Sequence, residues 1–180
     1  MIGPDGLTMF HTGVIVDDLE VASQLWTAAF GFHWAPPKTA ATPMRCPAGV
    51  VPREVRFTYS LEGPHHVELL EQVDPGPYLH LSTDRHIHHV GYYTDDLRGQ
   101  SARLEQLGFP AELSGVGADG GVHRATYHRH PVQPGMWIEL VDDSVADDID
   151  AWMAQAALEQ GVAYRSPFAE PRGRLRAAGA

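Results

Sequence analysis

Two stretches of this chain, His11-Thr12-Gly13-Val14-Ile15-Val16-Asp17-Asp18-Leu19 and His89-Val90-Gly91-Tyr92-Tyr93-Thr94-Asp95-Asp96-Leu97, share the plan His-x-Gly-x-x-x-Asp-Asp-Leu, 78 positions apart. In each, a run of β-formers ends at paired aspartates and helical spacing follows, which predicts a strand feeding an aspartate-capped helix. A repeat that sets a histidine at the same point of the same strand twice predicts two copies of one module with a shared site between them.

The repeat extends beyond the opening strands. Arg56-Phe57-Thr58-Tyr59 returns as Arg124-Ala125-Thr126-Tyr127, and Val67-Glu68-Leu69-Leu70 returns as Ile138-Glu139-Leu140-Val141. In the first copy the pattern predicts a strand over 9–16, a helix carrying Ala22, Leu25, Trp26 and Ala29 to Gly31, a short strand over 32–35, a long irregular connection over 36–52, and strands over 54–61 and 64–72. In the second it predicts a strand over 87–94, a helix carrying Ala102, Leu104 and Leu107, and strands over 110–113, 122–129 and 135–141. The expected class is α+β, with two tandem βαβββ modules joined as a curved mixed sheet around a cleft. The modules span 1–73 and 87–143, a Pro/Gly linker spans 74–86, and a C-terminal helix and tail occupy 144–180. At 180 residues there is enough chain for two half-domains sharing a core.

A net charge of −10 argues against nucleic acid or an anionic membrane as main partner and in favour of a small molecule. Cys46 is the single cysteine, no apolar run is long enough to span a bilayer, and no signal-peptide pattern opens the sequence, so the expected location is the cytoplasm.

Each module supplies one histidine from its first strand and one glutamate from its last: His11 with Glu68, and His89 with Glu139. The glutamates sit in apolar strands, where an unpartnered carboxylate would cost several kcal/mol to bury. Two imidazoles and two carboxylates suit a divalent first-row ion such as Zn, Ni, Co, Mn or Fe. His88 and His66 are rival ligands, because a shift of one residue in register reverses the face of a strand.

On these residues the chain resembles the vicinal oxygen chelate superfamily, which includes glyoxalase I, methylmalonyl-CoA epimerase, extradiol dioxygenases and bleomycin-resistance proteins. The resemblance covers roughly residues 9 to 143 and is nearest the glyoxalase and epimerase branch. It implies that His11, Glu68, His89 and Glu139 are metal ligands, that Glu139 or Glu68 moves a proton beside a carbonyl through an enediolate, and that the protein is a homodimeric lyase or isomerase. An Fe(II) dioxygenase of extradiol type is the second reading, and a drug-binding protein without catalysis the third. Strand parity, with Val55, Phe57 and Tyr59 turned towards the helix, places Arg56, Arg124 and His128 in the cleft as substrate contacts. His66, Tyr93 and Trp137 share the face of the proposed ligands and are further candidates for its walls.

Overall fold

The structure, a computed structural model, describes residues 6–73, 87–133 and 135–167. The predicted linker over 74–86 and most of the predicted tail lie outside the described residues. One sheet of ten strands runs through both repeats. The first repeat comprises β1 (Thr8–Val16), α1 (Leu19–Phe30), β2 (Lys38–Ala41), β3 (Met44–Cys46), β4 (Gly49–Val51), β5 (Glu54–Tyr59) and β6 (His66–Gln72). The second comprises β7 (Ile87–Thr94), α2 (Leu97–Gln106), β8 (Ala111–Val116), β9 (Val122–Arg129) and β10 (Trp137–Asp142), followed by α3 (Ala146–Gln160).

In the strand order β2-β5-β6-β1-β7-β10-β9-β8-β3-β4 the first eight strands are symmetric about the β1–β7 junction, and β3-β4 extends one flank. At that junction β1 and β7 pair antiparallel, and each is flanked by the last strand of its own repeat in parallel. Only Thr42 and Pro43 separate β2 on one flank from β3, which pairs with β8 on the other. A link that short spans roughly 10 Å, so the two ends of the sheet must approach each other, and the sheet curls into a half-barrel.

Both helices start where the paired aspartates predict. Asp18 accepts the Val21 N–H at 2.8 Å and Asp96 accepts the Gly99 N–H at 2.9 Å, each satisfying a donor left open by the first helical turn. Gly31 ends α1 at φ 76°, the left-handed conformation that glycine adopts without a Cβ clash. Leu19, Ala22 and Trp26 pack α1 against Val14 and Leu69, and Leu97 and Leu104 pack α2 against Leu140.

The outer ends of the predicted stripes turn elsewhere: Leu25 and Leu107 are 62% and 59% exposed. The connection over 36–52 is not irregular, since it supplies β2 and the β3–β4 hairpin that extends the second repeat's edge. The second strand of the first module is therefore 38–41, and the predicted strand at 32–35 amounts to one bridge, Trp34 to Ser60. On the concave side α3 buries Met153, Ala156 and Ala157 against Phe10, Tyr59, Tyr93 and Val141. Among the described residues no helix is long and apolar enough to cross a membrane.

Candidate metal centre

Strand register alone assembles the site. Reading across the sheet, one row is Tyr59, Glu68, Gly13, His89 and Trp137, and the next is Tyr127, Glu139, Gly91, His11 and His66. Side chains in one row leave the same face of the sheet, so each repeat sets its own glutamate beside its own glycine and opposite the other repeat's histidine.

The glycine of the His-x-Gly motif now has a physical reason. A Cβ on Gly13 would fall 2.1 Å from His89 Cε1, and one on Gly91 would fall 2.0 Å from His11 Cε1. Only a residue without a side chain lets the opposing imidazole lie flat across the strand.

The four side chains converge. His11 Nε2 and His89 Nε2 are 2.7 Å apart, and each lies 3.2 Å from Glu68 Oε2 and from Glu139 Oε2. All four residues are buried, with both histidines at 0% exposure. Burial opposes ionisation of Glu68, but the imidazoles of His11 and His89 outweigh it and bring its pKa down to about 2. For His89 burial disfavours the charged ring, yet Glu139 and Glu68 raise its pKa to about 9. Glu139 is likewise held well below the usual carboxylate range, chiefly by His89 against the opposing effect of burial.

The donor set fits a divalent cation. Two imidazole nitrogens facing each other at 2.7 Å need a proton or a cation between their lone pairs, and two buried carboxylates need positive charge. Donors bound about 2.0–2.1 Å from a common ion stand roughly 3 Å from one another, which is the spacing seen between each histidine and each glutamate.

Two tyrosines absent from the sequence expectations complete the centre. Tyr59 is the cross-strand partner of Glu68 and Tyr127 that of Glu139, so each phenol stands beside one of the two carboxylates. Burial and the adjacent carboxylates raise both phenols well above their ordinary pKa, so they remain protonated donors. The signal for them was present, since both close the recurring Thr-Tyr pair beside the recurring glutamate. Partners that orient ligands typically change metal affinity about 10–100-fold. Tyr127→Phe is accordingly expected to weaken metal affinity by about that factor while leaving the fold intact, as measured by chelator competition.

The cavity over the centre has a volume of about 100 Å³, several times the roughly 10–15 Å³ that one water needs. Glu68 and Glu139 lie in its lining with Tyr59 and Tyr127, below apolar walls that include Val55, Phe57, Leu70 and Ile149.

The parity expectation is therefore inverted. Val55, Phe57 and Tyr59 line the cavity, whereas Arg56 lies on the convex side, paired with Glu20 of α1 and with Glu71 at 2.7 Å. His128 also faces outward, bonded to Ser101 of α2 at 3.1 Å and to the Phe109 carbonyl at 2.9 Å, and burial lowers its pKa. Arg124 does reach the cavity.

His66, Tyr93 and Trp137 are on the ligand side but outside the cavity lining. His66 bonds the Ser60 carbonyl at 2.7 Å, and its ring stacks on Tyr164. Burial brings its pKa down to about 4, so it is neutral. Tyr93 stacks on Phe10 at 3.8 Å, and Trp137 stacks on His88 within the core formed by Met44, Val55, Leu113 and Tyr127. His88 is not among the four converging donors, but its Nδ1 stands 3.0 Å from Nδ1 of His89.

The sequence profile described as Glyoxalase/Bleomycin resistance protein/Dioxygenase superfamily matches residues 10–127. Among solved structures, methylmalonyl-CoA epimerase from Mycobacterium tuberculosis is 18% identical with a TM-score of 0.55, over 79% of this chain and 92% of that one. A substituted Streptomyces coelicolor methylmalonyl-CoA epimerase, in complex with 2-nitronate-propionyl-CoA, is 20% identical with a TM-score of 0.53, over 75% and 96%. A hypothetical protein from Bacillus halodurans C-125 is 17% identical with a TM-score of 0.51, over 76% and 94%. At these identities the likeness is one of fold. No curated protein is similar enough in sequence to count as a relative.

Proposed function

This chain belongs to the Glyoxalase/Bleomycin resistance protein/Dioxygenase superfamily, and on that footing we propose that it is a divalent-metal-dependent isomerase or lyase acting on a small oxygenated molecule. The observation that carries the reading is the convergence of His11, Glu68, His89 and Glu139, whose donor atoms all lie within 4.8 Å of one another in a buried cluster. An ion bound there would supply Lewis acidity, lowering the cost of negative charge on a substrate oxygen as a proton leaves the adjacent carbon.

The remaining steps belong to the protein. Glu68 and Glu139 occupy equivalent positions in the two repeats and both line the cavity, so either carboxylate can take a proton from substrate and return it. Tyr59 and Tyr127 stand beside these carboxylates, and the walls around them are largely apolar. The epimerases among the solved structures of like fold support proton transfer beside a carbonyl.

The decisive measurement is elemental mass spectrometry of protein purified anaerobically without chelator or histidine tag. Near-stoichiometric Zn, Ni, Co or Mn is expected, and those preparations should then exchange a substrate C–H with solvent deuterium. Iron as the main metal, with oxygen uptake on catechols, would transfer the protein to ring-cleaving oxygenation. Absence of metal even after reconstitution would remove both enzymatic readings.

A further inference from the structure

Apart from the glutamates, the charged groups of the cavity are concentrated where the two ends of the sheet meet. The Thr42 N–H donates to the Arg53 carbonyl at 3.0 Å, and the Val116 N–H donates to the Pro43 carbonyl at 2.9 Å. This seam brings Arg53, at the start of β5, and Arg124, on β9, into the lining of one cavity. They are the lining residues whose positive charge is permanent. The Arg53 guanidinium sits 5.9 Å from the centre of the Tyr127 ring, and Tyr127 is the cross-strand partner of Glu139, so this cation stands one side chain away from the proposed metal centre.

Arg124 reaches the cavity against the alternation of its strand. Its neighbours at alternate positions, Thr126 and His128, face the convex side and bond each other at 3.0 Å. The pairing of β8 with β9 is irregular between Ser114 and Val116, where it passes from Thr126 to Val122. Within that bulge Arg124 takes φ 66°, the one positive φ at a non-glycine position among the described residues. A bulge re-aims a side chain, and left-handed backbone at a residue other than glycine is a strain that persists where function requires it. Arg45, Arg56, Arg98 and Arg129 are each tied to a carboxylate or carbonyl. Among the described residues Arg124 has no such partner.

We propose that Arg53 and Arg124 form a carboxylate-binding subsite, so that the substrate is a small organic acid with a compact apolar body between its carboxylate and the oxygens presented to His11, Glu68, His89 and Glu139. The proposal rests on the reading of those four residues as a metal centre. A guanidinium matches a carboxylate in shape and can bind it through two parallel hydrogen bonds. The chain carries a net charge of −10, which repels anions at long range, so an anionic substrate needs local cations of this kind. The walls of Val55, Phe57 and Leu70 accommodate the apolar body, and a single negative charge limits repulsion from Glu68 and Glu139.

The test compares 3,4-dihydroxybenzoate with 3,4-dihydroxybenzamide by isothermal titration, on nickel-loaded protein and on chelator-stripped protein. The two probes share vicinal oxygens and ring and differ in the carboxylate. The benzoate is expected to bind about tenfold more tightly than the amide in both forms. Arg124→Gln and Arg53→Gln should each bring the two affinities together, with amide affinity and nickel content unchanged. Arg124→Gly should also abolish the preference while leaving the melting temperature equal or higher, because glycine accepts the left-handed backbone; a purely structural Arg124 would instead lower it. Equal affinities in wild-type protein, no binding of the benzoate to nickel-loaded protein, or a preference that survives Arg124→Gln would each overturn the subsite. A protein that takes up no nickel yet keeps the preference for benzoate would overturn the metal centre and leave the subsite standing.

Discussion

Replacing Gly91 by alanine is expected to disable the four-donor centre about as completely as removing a ligand. The strand conformation at Gly91 is one that alanine also adopts, so the whole effect comes from the added methyl group, placed 2.0 Å from Cε1 and 2.4 Å from Nδ1 of His11. The His11 ring has no room to retreat. It is fully buried, with Phe10 4.0 Å away and Tyr59 5.3 Å away between ring centres. Overfilling a packed interior costs about 1–3 kcal/mol, and displacing a ligand should lower metal affinity by at least about 100-fold.

His89→Ala, which deletes a donor outright, is the reference for full loss of stoichiometric metal. The double variant His11→Ala with Gly91→Ala separates crowding from ligation. With the imidazole gone the methyl group fits, so stability should recover relative to Gly91→Ala alone while metal binding stays lost, a clear departure from additivity. Calorimetry and elemental analysis of the wild type, Gly91→Ala, His11→Ala, His89→Ala and the double variant decide the matter. Wild-type metal affinity in Gly91→Ala would mean that the reciprocal glycine–histidine packing does not position His11.

The same packing explains which parts of the protein could be read from its sequence. A period of 78 residues between two His-x-Gly strands specifies that like elements recur, and antiparallel pairing of the two copies then sets each histidine opposite the other copy's glycine. The sheet core, both helix starts and the convergence of His11, Glu68, His89 and Glu139 follow from that symmetry. The direction in which β5 faces does not. Alternation divides Val55, Phe57 and Tyr59 from Arg56 and Thr58, but it is equally consistent with either assignment to the inside.

Intuition puts arginine in the polar cleft. In this fold the concave side is the more apolar one because α3 covers part of it, and the convex side carries the Glu20–Arg56–Glu71 cluster. The register of Tyr59 with Glu68 settles the question once the strands are paired. The β3–β4 hairpin was illegible for another reason. Its prolines and glycine read as a loop, and its partner β8 lies in the other repeat, so no local pattern announces the pairing. Arg124 combines both difficulties, since it reaches the cavity only through a bulge that strict alternation cannot represent.

Metal uptake should depend strongly on pH, with a sign fixed by His89. In the chelator-treated protein the carboxylates of Glu139 and Glu68 prevail over burial and hold the His89 imidazolium to a pKa of about 9, against an ordinary 6.5. A ligand nitrogen must be free of its proton, so binding releases one proton below that value and affinity should rise about tenfold per pH unit from pH 6.5 towards 9. The stability of the chelator-treated protein should move the other way. A group whose folded pKa is raised contributes fully below its unfolded pKa and loses that contribution as pH climbs through the folded one. Here that is a loss of about 3 kcal/mol between pH 6.5 and 9. Glu68, depressed to about 2, contributes above its ordinary 4.5 and loses that contribution as the solution is acidified towards 2. Stability without metal should therefore be greatest between about pH 4.5 and 6.5, and the increment in melting temperature on adding metal should widen steadily above that window. Thermal scans at fixed metal concentration across pH 5 to 9 measure both trends together. An increment independent of pH would show that His89 enters the complex without giving up a proton, and hence that it is not a ligand.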